Sequence, residues 1–77
     1  MATLKIWNIE DEIVLEDEGP WNALDDVLLS YMDEHSLFAS GGHEYKIKVH
    51  TDDSIIAVAD EIEHENGSTA GRYELKV

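Results

Sequence analysis

The acidic residues of this 77-residue chain fall almost entirely into two segments that contain no Lys or Arg. Residues 10–34 hold ten Asp or Glu and residues 52–65 hold six more, out of 18 in the chain. All five basic residues lie outside these segments, and the formal net charge is −13. Because unpaired carboxylates repel one another, this distribution lowers the stability of any compact fold and favours an exposed position for both segments.

The length of the chain predicts a single domain over residues 1–77. There is no Cys, so the hydrophobic core must hold the fold without a disulfide or a Cys-based zinc site. Hydrophobic residues make up 43% of the sequence, which is typical of a globular protein rather than a disordered one. A domain of this size buries only about 60–65% of the surface of its unfolded chain, so we expect its stability to be modest.

The same sequence argues against several locations and partners. No apolar run reaches 18 residues, so we expect no membrane-spanning segment and no membrane partner. The first residues, Met1–Lys5, lack the apolar stretch of a secretory signal, which predicts a cytoplasmic protein. Direct binding to nucleic acid is disfavoured, because it requires a basic surface. The sequence does not indicate an oligomeric state.

Apolar alternation predicts two strands near the start of the chain. Residues 3–9 form the first, with Leu4 and Ile6 on one face and Lys5, Trp7 and Ile9 on the other. Residues 10–12 are expected to form an acidic turn, and residues 13–15 a short second strand. The acidic residues 16–19 are expected to form a loop.

One long helix is predicted next. Pro20 suits the first position of a helix, where its missing N–H costs no hydrogen bond. An apolar stripe with helical period runs from Trp21 to about Ala39. Gly41-Gly42 is expected to end this helix.

The second half of the chain contains two clear strands and one ambiguous segment. Residues 44–51 and 71–77 alternate as strands, and Tyr73 and Leu75 lie on the inner face of the latter. Residues 54–66 fit a helix, and they also fit a strand whose apolar face is interrupted by Asp60. We favour the helix, with a turn at Asn66-Gly67 under either interpretation.

The predicted element order is β-β-α-β-α-β. This order indicates an α+β domain, in which one or two helices pack on one face of a small, mostly antiparallel sheet. The alternative is one helix packed against a β-meander.

The charges on the predicted helices have no cationic neighbours. Exposed helices commonly carry Glu–Lys pairs that stabilise them by about 0.2–0.5 kcal/mol each, and neither segment contains one. On an ideal helical wheel, Asp26 and Asp33 lie about 20° apart, opposite the apolar stripe. Glu63 and Glu65 fall near the end of the second predicted helix, where the helix dipole disfavours anions. These acids form either a simple solvated surface or a surface shaped for a basic partner.

The amount of charge is comparable to that of duplex DNA. A compact domain of this length is about 30 Å across. Duplex DNA carries about 18 phosphate charges over that distance. The chain has 18 carboxylates, so it could occupy a basic channel built for a short duplex, with affinity from electrostatics and counterion release.

No pattern in the sequence indicates catalysis, a metal or a cofactor. Glu61 and His64 have the Glu-x-x-His spacing of di-iron bundles, but such sites need a second motif and four helices. Asp52-Asp53 lacks the alternating acids and central Gly of a calcium loop. Gly41-Gly42 precedes a predicted strand, whereas phosphate-binding glycines precede a helix. We therefore expect a non-enzymatic protein.

In composition the whole chain resembles the DNA-mimic inhibitors encoded by phages and mobile elements, which are small, Cys-free, strongly acidic single domains. They include anti-CRISPR proteins, anti-restriction proteins and the uracil-DNA glycosylase inhibitor. The resemblance implies an inhibitor that occupies a basic nucleic-acid-binding site on a host protein, in the host cytoplasm. Its first implication is an anti-CRISPR protein that blocks target-DNA binding by a Cascade-like complex. The alternative is a small acidic adaptor or antitoxin-like module that binds a basic protein without imitating DNA.

Charge placement alone selects fourteen acidic residues as the predicted partner-binding surface. They are Glu10, Asp11, Glu12, Glu16, Asp17, Glu18, Asp25, Asp26, Asp33, Glu34, Asp60, Glu61, Glu63 and Glu65.

Overall fold

The computed structural model describes residues 1–41 and 57–76, and the strand predicted at residues 44–51 lies outside this part of the chain. In chain order, the described elements are β1 (Ala2–Asn8), β2 (Ile13–Gly19), α1 (Trp21–Glu34), β3 (Leu37–Ala39), β4 (Ala57–His64) and β5 (Thr69–Lys76). The predicted α+β class is confirmed, since α1 packs against an antiparallel sheet formed by the five described strands.

The strand order in the sheet is β2-β1-β5-β4-β3. Each neighbouring pair is antiparallel. Leu4 of β1 lies opposite Asp17 of β2 on one side and Leu75 of β5 on the other. Among the described strands, β1 and β5 are therefore central, and β2 lies at one end of the sheet.

The core forms between α1 and one face of the sheet. Its buried hydrophobic residues, within the described ranges, come from the sheet (Ala2, Leu4, Ile6, Ile62, Tyr73, Leu75) and from the helix (Leu24, Leu28, Met32). The inward orientation predicted for Tyr73 and Leu75 is thus confirmed, and of the two faces predicted for the first strand, the one with Leu4 and Ile6 is the buried one. We call the opposite side of the sheet, away from α1, the open face.

The prediction of a loop at residues 16–19 is wrong, because these residues complete strand β2. Glu16 lies opposite Lys5, and Gly19 lies opposite Ala2. A run of acids can occupy this strand because it has only one strand neighbour among the described residues, so its side chains remain in water. Charged side chains on an end strand also oppose edge-to-edge aggregation.

The predicted helix end at Gly41-Gly42 is also wrong, because α1 ends at Glu34. Ser36 follows with a backbone φ of 56°, in the left-handed region that terminates a helix. The apolar residues Leu37–Ala39 then form β3, which pairs with β4. Although these residues continue the apolar stripe in the sequence, they belong to a strand and not to the helix. Phe38, which the stripe includes, is 55% exposed.

The helix favoured for residues 54–66 is wrong as well, because its described part contains strand β4. The strand had been disfavoured because Asp60 would interrupt its apolar face. In the structure the Asp60 carboxylate accepts hydrogen bonds from the Ser40 hydroxyl at 2.7 Å and from the backbone N–H groups of Gly41 and Glu61. These donors allow an acid to sit on the inner face, two residues before buried Ile62.

Tyr73 makes the stability of the fold sensitive to alkaline pH. Its side chain is fully buried (0% exposed), and this burial, followed by the charges of Asp60 and Asp25, raises its pKa above the ordinary value of about 10. The unfolded chain therefore ionises Tyr73 first as the pH rises. Stability is unaffected by this group below about pH 9 and falls by up to about 1.4 kcal/mol per pH unit above pH 10.

Urea unfolding of the wild type and Tyr73→Phe between pH 8 and pH 11 measures this effect. We expect the free energy of unfolding to fall less steeply above pH 10 in the variant. Tyr31→Phe is the control, because it removes a half-buried tyrosine and leaves Tyr73 in place. Equal alkaline slopes in the wild type and Tyr73→Phe would contradict the prediction.

Candidate functional site: an acidic groove between β2 and α1

The basic residues in the described part of the chain all lie on the open face of the sheet. Lys5, Arg72 and Lys76 alternate along their strands with the buried residues of the inner face. Each has an acidic partner: Lys5 Nζ lies 3.8 Å from Glu16, Arg72 Nη2 lies 3.0 Å from Asp11, and Lys76 Nζ lies 3.3 Å from Glu74. The positive charge of the described residues is therefore concentrated and paired on the side away from α1.

The predicted acidic turn between β1 and β2 is confirmed. The Asn8 side-chain oxygen accepts hydrogen bonds from the backbone N–H groups of Glu10 at 2.9 Å and Glu12 at 3.0 Å. Asp11, with φ of 65°, is the residue that turns the chain. Glu10 and Glu12 are exposed at this turn, whereas the charge of Asp11 is offset by Arg72.

The three acids of β2 are divided between the two faces of the sheet. Asp17 is on the same face as Leu15, toward α1, because it lies opposite Leu4 of the core. Glu16 and Glu18 are on the open face, opposite Lys5 and Thr3. All three side chains are exposed, so this end of the sheet presents carboxylates in both directions.

Helix α1 carries exposed acids on the side that faces solvent. Asp26, Asp33 and Glu34 are exposed, and none of them forms an ion pair with any basic residue in the described ranges. Asp33 and Glu34 occupy the last turn, where the negative end of the helix dipole disfavours them. Asp25, also on α1, is only half-exposed, and its charge helps to raise the pKa of Tyr73.

A groove of about 370 Å³ lies between β2 and α1. Its apolar part is formed by Leu15 of β2 with Val27 and Tyr31 of α1. Its polar part is formed by Asp26, Ser30 and Glu34 of α1, and no lining residue is basic. We call this feature, defined by these six residues, the β2–α1 groove.

The acids of β4 and its turn lie elsewhere. The strand order places β1 and β5 between β2 and β4, a distance of about 14 Å at the usual strand spacing. Asp60 is half-buried and held by Ser40, and Glu61 accepts a hydrogen bond from the Thr69 hydroxyl at 3.1 Å. Glu63 is also in β4, and Glu65 lies in the turn that follows it. The fourteen predicted residues thus form one group in the β1–β2 turn, β2 and α1 and a second group in β4 and the turn after it, rather than one surface.

A larger concavity, of about 520 Å³, lies along β4 and β5. Its charged lining residues interact with one another and with their neighbours: Arg72 with Asp11 and Glu61 with Thr69. The guanidinium carbon of Arg72 also lies 3.8 Å from the centre of the Trp7 ring. These pairings make the site a weaker candidate than the β2–α1 groove, whose acids have no such partners among the described residues.

Two further findings concern the described residues. They contain no group of three or more His, Cys, Asp or Glu side chains arranged to hold a metal ion. They also contain no helix with the length and apolar character needed to cross a membrane.

The sequence reasoning missed the apolar part of the groove. Val27 and Tyr31 belong to the apolar stripe of α1. The sequence pattern does not distinguish residues of this stripe that face the sheet from residues at the edge of the stripe. The helical wheel gives one indication of this difference, because Val27 and Tyr31 lie at smaller angles from Asp26 than Leu24 and Leu28 do. Leu15 could be recognised only once the acidic residues after it were known to continue β2.

Comparisons of the chain with protein-family models, with curated proteins and with solved structures gave no match.

Proposed function

We propose that this protein is a non-enzymatic inhibitor that occupies a basic nucleic-acid-binding site on a host protein by presenting carboxylates in place of DNA phosphates. The observation that carries the proposal is the separation of charge in the described residues. Exposed acids without a basic partner among the described residues lie on the solvent side of α1 and on the end strand β2, whereas the three described Lys and Arg residues are paired on the open face. We propose the β2 and α1 side as the contact surface.

The magnitudes support a partner that normally binds a duplex. The protein extends 35 × 22 × 18 Å, and about 20 phosphate charges occupy 35 Å of duplex DNA. The formal net charge of −13 gives steered, fast association with a basic channel. The acids in the last turn of α1 reduce helix stability, which is consistent with a role in binding.

Within this class, the first target we propose is a Cascade-like CRISPR complex, whose target-DNA binding the protein would block. The second candidate function is a small acidic adaptor or antitoxin-like module that binds a basic protein without imitating DNA. The apolar part of the β2–α1 groove favours this second candidate, because apolar contacts are a feature of protein–protein recognition that a phosphate backbone does not supply.

Competition with DNA tests the proposal. A labelled target duplex is bound to a purified Cascade-like complex at about 150 mM salt, and its displacement is followed by mobility shift as the protein is added. For a DNA mimic, the apparent affinity of the complex for DNA falls in proportion to the concentration of the protein, and excess duplex restores it.

Two other outcomes separate the candidates. Binding of the protein to the complex that persists in saturating duplex would contradict DNA mimicry and support the adaptor. If neither this complex nor a purified restriction enzyme or uracil-DNA glycosylase binds the protein, the proposed inhibitor function is wrong for these targets.

A further inference from the structure

We infer that the β2–α1 groove binds a basic segment of a partner protein that inserts an aliphatic or aromatic side chain between its Lys or Arg residues. This inference rests on the proposed function and specifies how one part of the contact surface works. It predicts that recognition is not purely electrostatic, and that the groove selects among basic partners by their apolar side chains.

The geometry of the groove supports an apolar insertion. Leu15 from the sheet and Val27 and Tyr31 from the helix pack against the border of the core and line one shallow, open groove in which they remain partly exposed. Its volume of about 370 Å³ is at the lower end of the range of about 300–1,000 Å³ for sites that bind small molecules. This space accommodates one or two large side chains, and filling it removes apolar surface from water on both partners.

The charges around the groove define the flanking residues of the partner. Asp26 and Glu34 lie eight residues apart on α1, which corresponds to about 12 Å along the helix axis. Asp17 is on the same face of β2 as Leu15 and two residues away, about 7 Å along the strand. Carboxylates on both sides of an apolar centre complement a segment in which basic residues flank an apolar one.

Charge also argues against a second copy of this chain as the occupant. Pairing of two β2 strands would bring Glu16, Asp17 and Glu18 of each copy together, and both copies carry a net charge of −13. Like charges placed opposite one another destabilise strand pairs and interfaces. The complementary occupant is therefore cationic.

Two labelled peptides test the inference by fluorescence anisotropy. Both are Lys-rich dodecapeptides of equal charge, and one carries two central leucines where the other carries two serines. We expect the leucine peptide to bind the full chain about tenfold more tightly, and we expect this ratio to persist when salt is raised from 50 to 300 mM. Salt weakens binding of both peptides, because it screens the carboxylates around the groove.

Matched variants locate the preference. Leu15→Ser and, as a second change close in shape to the original residue, Val27→Thr are expected to reduce the ratio between the two peptides to less than about twofold. Leu29→Ser is the control, because Leu29 is 41% exposed on α1 and does not line the groove. Circular dichroism of each variant verifies that the fold is retained.

Equal affinity of the two peptides for the wild type would overturn the inference, as would an equal change of the ratio in Leu15→Ser and Leu29→Ser. The DNA-competition experiment gives an independent result. If competition occurs and the peptides are not distinguished, the groove inference fails and the proposed function stands. If the peptides are distinguished and no competition occurs, the groove binds its basic segment but DNA mimicry is wrong.

Discussion

Replacing both Asp26 and Asp33 with Lys is expected to weaken binding to the basic target site by about 100-fold, or about 2.7 kcal/mol. The two carboxylates are exposed on α1, about two turns apart, and have no ion-pair partner in the described part of the chain. Each substitution removes one attraction and introduces one repulsion at the same place, for which about a tenfold effect is reasonable. The dissociation constant for the target complex measures the change.

The matched control for this variant is Glu63→Lys with Glu65→Lys, which changes the net charge by the same amount at the β4 end of the sheet. At 150 mM salt the Debye length is about 8 Å, so charges remote from the contact are largely screened. We expect the control to change the affinity by less than about threefold. If both double variants weaken binding equally, the net charge of the protein determines affinity and the proposed contact surface is wrong.

The variant is also expected to keep its fold. Asp33 lies in the last turn of α1, where a cation interacts favourably with the helix dipole by about 0.3–1 kcal/mol. A midpoint of thermal unfolding equal to or above that of the wild type therefore separates a loss of binding from a loss of structure. A lower midpoint would show that Asp26 or Asp33 has a structural role.

Gly71→Ala is expected to lower the free energy of unfolding by about 3 kcal/mol or more. Gly71 is buried in β5 between Asn8 of β1 and Ile62 of β4, with a φ of +150° that residues with a side chain rarely adopt. A Cβ atom there would lie 2.0 Å from the carbonyl oxygen of Trp7 and 3.1 Å from the Cα of Asn8. Since these are backbone atoms of the neighbouring strand, the clash cannot be relieved by a side-chain rotation.

A series of three glycines makes this prediction specific. Gly67 has a φ of +88° with no atom within 4 Å of the added Cβ, so its replacement by Ala should cost only the backbone strain, about 1 kcal/mol. Gly19 has neither a neighbouring atom nor a positive φ, so Gly19→Ala should be close to neutral. Urea unfolding that ranks Gly71→Ala no worse than Gly67→Ala would contradict the described register of β1 and β5.

The loss of unfolding free energy expected for Gly71→Ala is large relative to the total stability expected for such a small domain. Domains of this size commonly have about 5 kcal/mol of stability. A change of 1 kcal/mol shifts the midpoint of thermal unfolding by about 4–8 °C in a domain of 60–100 residues, so we expect a shift of about 12 °C or more. This prediction tests the fold independently of any partner.

The parts of the fold that could be predicted from the sequence are the segments whose apolar pattern fits only one type of secondary structure. Leu4 and Ile6 share one of the two predicted faces of the first strand and are both buried, and Tyr73 and Leu75 alternate with polar neighbours and are buried as expected. The start of α1 was also marked, because Pro20 directly precedes its first residue. In each of these cases the local pattern and the tertiary environment favour the same structure.

The errors arose where a tertiary partner overrode the local pattern. Residues 16–19 look like a loop until β1 is available to pair with them. Asp60 makes β4 look unlike a strand until Ser40 and Gly41 bring their donors to its carboxylate. Leu37–Ala39 continue the apolar stripe of the helix, but β4 provides a strand for them to pair with. The partners of Asp60 and of Leu37–Ala39 are about 20 residues or more away in the sequence, so no local window contains them. For residues 16–19 the partner strand is near in the sequence, but the run of acids hides the strand pattern.

The candidate site was predictable in its chemistry but not in its arrangement. The lack of basic residues near Asp26 and Asp33 can be read directly from the sequence, and both are exposed. The separation of the β4 acids from the β2 acids depends on strand order, which the sequence left open. The groove depends on the side-by-side placement of Leu15 and Tyr31, which are far apart in the chain.

The pairing of β1 with β5 also constrains how the protein is made. Thr3 of β1 pairs with Lys76 of β5. During synthesis, β1 therefore cannot form this pairing until roughly 70 further residues have been translated. Until then, the inner face of the nascent hairpin formed by β1 and β2 can be covered by α1 but has no central strand beside it. The described sheet can therefore close only after β5 has left the exit tunnel.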